Sequence, residues 1–177
     1  DALPYLLRGQ AEAALVQAEP EKAAERIEST VKAFDEAARR DPENALPLLL
    51  AASVAFGAGR EDLALPRIKA GLGRPGLVLS RLPVPFDLHA DPKASIDAWQ
   101  YVQYGQWMVL LEHCGNASKG LLVRGAEKLA KDDPEGAKAD FRAALAVGRM
   151  VGRFEPSLFI TTHIAINIME AAYARLY

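Results

Sequence analysis

Ile27, Val31, Phe34 and Ala38 follow one another at intervals of four, three and four residues, with charged side chains between them. That spacing puts all four on one stripe of an α-helix, and such a stripe must be buried against another element. The same device recurs along the chain. Leu3, Leu7, Ala11, Ala14 and Ala18 form an earlier stripe that ends at Glu19-Pro20, and Asp41-Pro42 ends the second. A helix over about 44–56, a turn at "GAGRED" and a further helix interrupted or kinked near Pro66 give a second hairpin. Residues 75–94, with Pro83, Pro85 and Pro92, then read as an irregular strap across the helices. Ser95 is expected to cap a long apolar helix through about His113, with "CGN" turning it. A hairpin on either side of "DDPEGA" and a last helix after Pro156 complete the chain. The expectation is an all-α fold of about eight helices in one domain: N-terminal hairpins over 1–74, the strap, and C-terminal helices over 95–177.

Half of the 177 residues are hydrophobic, enough to bury a continuous core. A formal charge of -2 gives no general attraction to nucleic acid, and neither a zinc-finger spacing nor a basic arm is present. No apolar run reaches the length of a bilayer span. Cys114 is the sole cysteine, which excludes an internal disulfide and leaves both cytoplasmic and exported locations open, the latter after removal of a leader.

Internal spacing adds a family resemblance. Phe34 and Ala37 recur as Ile68 and Gly71, a shift of 34 residues, and Leu48, Ala51, Ala52, Ala55, Ala64 and Ile68 run large, four small, large. Leu121, Gly125, Ala137, Phe141 and Ala144 give a second match around "DDPEGA". This pattern resembles the tetratricopeptide-repeat (TPR-like) family, over about Glu21 to Gly73 and Ala117 to Arg149. The period is not strict, since Ala64 to Ala137 spans 73 residues. The resemblance implies antiparallel helical hairpins stacked as a right-handed array. It also implies a non-enzymatic scaffold that holds a protein or peptide on one face.

Candidate sites are few. "WQYVQYGQW" over 99–107 packs Trp99, Tyr101, Tyr104 and Trp107 into one helix that is apolar nearly all round. These rings either fill the core or line a small-molecule pocket beside helix 95–113. Residues 1–44 carry ten acidic and six basic side chains, whereas 117–153 carry five and eight. In that positive half Lys138, Arg142, Arg149 and Arg153 share one helical stripe, and Arg124, Lys128 and Lys131 another. Each is either a solvated face or a grip for an anionic peptide. On the last helix His163, Asn167 and Glu170 line up as the polar edge of a capping element or as a polar site. His113 and Cys114 are adjacent, so on a helix their side chains diverge and cannot act as base and nucleophile. Asp87, His89 and Asp91 offer a weak metal pattern, and "NAS" at Asn116 fits a glycosylation acceptor. No metal site, cofactor or catalytic residue is assigned.

Overall fold

A computed structural model describes the backbone over residues 1–78, 92–153 and 159–176. The side chains of 17, 92–104, 106–107 and 159–162 lie outside the described set. Among the described residues every regular element is a helix: α1 (Leu3–Ala18), α2 (Ala23–Arg40), α3 (Leu46–Gly57), α4 (Glu61–Leu72), α5 (Pro92–Ala130), α6 (Pro134–Arg153) and α7 (Phe159–Leu176), with a 3-10 turn at Pro20–Lys22. α1 packs on α2, α2 on α3, α3 on both α4 and α5, α5 on α6, and α7 on α6 and α5. One contiguous apolar core runs through them from Ala2 to Ala172.

Glycine lies against phenylalanine at three helix contacts. A Cβ on Gly9 of α1 would stand 2.5 Å from the Phe34 ring of α2, and one on Gly125 of α5 would stand 2.4 Å from the Phe141 ring of α6. Phe56 of α3 lies equally close to Gly120 of α5. Each ring occupies the volume of a missing side chain, so the backbones meet without a void.

α3 and α5 end the same way. Arg60 N donates to Ala55 O and Gly59 N to Phe56 O, while Asp133 N donates to Lys128 O and Asp132 N to Leu129 O. Both are Schellman caps, and they require the positive φ that Gly59 (69°) and Asp132 (61°) adopt. Asp133 then caps α6, its carboxylate accepting from Gly136 N at 2.9 Å, with Pro134 in the first helical position.

Three expectations are corrected. "CGN" does not turn the chain: α5 is a single helix of 39 residues. Gly115 and Asn116 stay helical because Cys114, Ala117, Ser118 and Leu121 beside them are buried, and that packing outweighs the weak helix propensity of the two residues. Of the two alternatives at Pro66 the interruption is ruled out, since α4 runs through it. α5 begins at Pro92 rather than Ser95, so the strap ends earlier; a proline fits there because a first-turn N–H has no partner within the helix. Most of the strap, 79–91, lies outside the described residues.

The strap's first residues are held firmly. Asn44, fully buried, donates from Nδ2 to Val78 O at 2.8 Å and accepts from Val78 N at 2.9 Å. Gly76 O accepts from Ala45 N at 2.8 Å. Arg74 Nη1 donates to the carbonyls of Ala38, Asp41 and Asn44 at 3.1, 2.9 and 2.7 Å, satisfying one open carbonyl in the last turn of α2 and two in the chain just beyond it.

Candidate functional site

A cavity of about 850 Å³ forms a groove between the α1–α2 turn and the second half of α5. It exists because α3 stops at Gly57 and its cap turns the chain away at Gly59, leaving the face of α5 beyond that point uncovered. Half-buried Val16, Ile27, Val54 and Phe56 and exposed Val123 supply its apolar surface. His113, Asn116, Gly120, Val123 and Glu127 recur at three and four residues and present one stripe of α5 to it. From His113 to Glu127 that stripe is about 21 Å long at the rise of an α-helix.

Polar groups are spread along this length. At one end Ser53 Oγ of α3 and His113 Nδ1 of α5 lie 3.1 Å apart. Burial holds the His113 imidazole below its ordinary value of 6.5, against a smaller opposing pull from Glu112. The adjacent Cys114 is fully buried, and its thiol is pushed up to about 12, so it is not a nucleophile at neutral pH. In the middle stand exposed Asn116 and Lys119. At the far end are Glu61, Glu127 and Arg124.

Arg124 is not available to a ligand as a free charge. Its Nε donates to Asp140 Oδ2 at 2.8 Å, its Nη2 pairs with Asp140 Oδ1, and Lys128 Nζ reaches the same carboxylate at 3.0 Å. Arg124 and Lys128 therefore form neither a solvated face nor a peptide grip: α6 supplies a buried partner opposite them. Lys131, on the same stripe, is exposed.

The other sequence candidates are placed as follows. Tyr101 and Tyr104 lie on α5, but their side chains, like those of Trp99 and Trp107, are outside the described residues. Just beyond them Met108 and Val109 are exposed and Leu111 is buried, so this part of α5 is covered on one side. Arg149 and Arg153 come together at a second cavity, whereas Arg142 is exposed and does not line it. His163, Asn167 and Glu170 are all exposed on α7. Asp87, His89 and Asp91 lie outside the described residues, and no cluster of three metal-binding side chains occurs among the described ones. Asn116 lies at the groove within a helix, and Ser118 of the same tripeptide is buried, its Oγ 3.5 Å from Ala144 O.

Ser53 was not singled out in the sequence, although a signal existed. It is the one hydroxyl in "LPLLLAASVAFG", a helix otherwise apolar, and a buried hydroxyl needs a partner. The partner lies 60 residues away, beyond the reach of periodicity.

The depressed His113 value has a measurable consequence. Above pH 6.5 the imidazole is neutral in both folded and unfolded chains; below it the unfolded chain takes up the proton first. Stability is therefore expected to fall as pH drops below 6.5, and His113→Gln should flatten that fall. Urea midpoints measured at pH 7 and pH 5 for both proteins test this, and parallel losses would show that other groups carry it.

No protein-family model matches the chain, and no curated protein or solved structure does.

Proposed function

We propose that the chain is a non-enzymatic binding module, a TPR-like right-handed stack of hairpins α1–α2, α3–α4 and α5–α6, whose groove holds an extended segment of a partner protein. The glycine–phenylalanine interlocks within the first and third hairpins, and Phe56 of α3 against Gly120 of α5 between the second and third, support this reading, because small residues facing one large ring are what the resemblance implies. The single observation that carries the binding reading is the shape of the groove. Its length of about 21 Å accommodates about six residues of extended chain.

The distribution of polar groups favours a peptide over a hydrocarbon chain. Asn116 offers a donor and an acceptor, Lys119 donors, and Glu61 and Glu127 acceptors, matching a backbone that presents both kinds of group at every residue. Arg124 is matched by Asp140, so Lys119 faces Glu61 and Glu127 and the groove offers no surplus positive charge to acidic side chains; its apolar surface selects apolar ones. A small-molecule ligand is the second reading; a volume of about 850 Å³ suits one.

Selection from a random heptapeptide library should enrich segments with two or three large apolar side chains. Val123→Asp, at a residue 52 % exposed, should leave the melting temperature nearly unchanged while weakening such peptides by about tenfold or more. A library that yields no enrichment, or peptides that bind Val123→Asp as well as the parent protein, would remove the groove as the peptide site.

A further inference from the structure

Across the molecule from the groove, the chain leaving α4 and the C-terminal half of α6 enclose a cavity of about 310 Å³. Three arginines line it, Arg74, Arg149 and Arg153, and none of its described lining residues is acidic. The rest of the wall is largely apolar, with Leu72, Leu77 and Met150.

The three cations differ in how they are held. Arg74 is half-buried, and all its hydrogen bonds to described residues come from Nη1, which the carbonyls of Ala38, Asp41 and Asn44 fix in place. Carbonyl oxygens orient the guanidinium without neutralising it, so its full charge stays at the cavity wall, with Nε and Nη2 still able to donate. Arg149 and Arg153 are exposed, one helical turn apart on α6. Arg149 Nη2 donates to the Tyr173 hydroxyl at 3.3 Å. Elsewhere in this protein half-buried arginines are matched by carboxylates: Arg26 by Glu12 and Glu19, Arg67 by Asp35, and Arg124 by Asp140. At this cavity three like charges face a small space whose described lining residues supply no counter-charge.

We propose that this cavity is an anion site for a small phosphate monoester, the phosphoryl group held by Arg149, Arg153 and the free edge of Arg74, and its organic part lying against Leu72, Leu77 and Met150. A dianion offsets three cations better than a carboxylate does, and its oxygens accept from several guanidinium groups at once. The apolar wall calls for a carbon body, and the volume limits that body to a small one. This site is independent of the groove, so either can fail alone.

The test is calorimetric titration of the full chain with phenyl phosphate, inorganic phosphate and benzoate at low ionic strength. Phenyl phosphate should bind most tightly, benzoate should be weaker, and added salt should weaken all three. Arg153→Gln and Arg149→Gln should each weaken phenyl phosphate about tenfold with the melting temperature maintained, whereas Arg142→Gln, outside the cavity, should bind like the parent. Absence of phenyl phosphate binding overturns the proposal, as does equal weakening by Arg142→Gln, which would mean general surface attraction. Tighter binding of a phosphotyrosine heptapeptide than of phenyl phosphate would overturn the small-molecule assignment and make the phosphoryl group a modified side chain of a protein.

Discussion

Replacing Asp140 by alanine is expected to destabilise the protein by about 3 kcal/mol, seen as a lower urea midpoint with an unchanged slope. Asp140 sits on α6 with 5 % of its side chain exposed, and its carboxylate takes both Arg124 and Lys128 from α5. Their side chains are 17 % and 28 % exposed, so alanine would leave two half-buried cations side by side. Losing the partner of a buried ion pair costs about 3–5 kcal/mol, and the lower end applies because both long side chains can reach toward water. Asp140→Asn keeps the shape and one acceptor while removing the charge, and should lie between alanine and the parent. A loss below about 1 kcal/mol for alanine would place this network among ordinary surface pairs.

Asn44→Ala is expected to cost about 3 kcal/mol or more through a different route, the loss of a fully used amide. The side chain donates to Asp41 Oδ2 at 3.0 Å and to Val78 O, and accepts from Leu46 N at 3.0 Å and from Val78 N. Two donors and two acceptor positions are all that an asparagine has. Alanine would strand the N–H of Leu46, which is fully buried, and release the chain that follows α4. Each lost hydrogen bond removes about 1 kcal/mol, and the stranded donor adds about 1–3 kcal/mol. Asn44→Asp retains the acceptors but sets a carboxylate against Asp41 and the Val78 carbonyl, so it should also destabilise. If Asn44→Asp were as stable as the parent, the two accepted bonds alone would hold the junction.

Features that each helix encodes within itself were legible in the sequence. The Leu3–Ala18 and Ala23–Arg40 helices follow from their stripes and from the prolines beyond them, and the Gly59 turn follows from glycine's access to positive φ. Features that depend on what lies opposite were not. Arg124 and Lys128 read as an outward stripe because periodicity tells which residues share a face and not what that face meets. Asp140 gave a clue, since it falls between Ala137 and Phe141 in the buried part of α6, where a carboxylate needs a cationic partner. Gly115 and Asn116 misled for the same reason: the pull that keeps them helical comes from α3 and α6, far away in sequence. The groove was not legible either, because it is a space left where α3 ends short of its neighbour.

α5 also gives the molecule one long unbroken axis. From Pro92 to His113 the helix extends about 31 Å before it reaches the groove, as one continuous hydrogen-bonded rod. A tilt of about 10° at the groove end would carry the far end through about 5 Å, with no bend needed between them. The groove beside His113 and Asn116 and the start of α5 at Pro92 thus lie on one helix, with no joint between them. Two hairpins meeting at a turn would have lost that stroke at the joint.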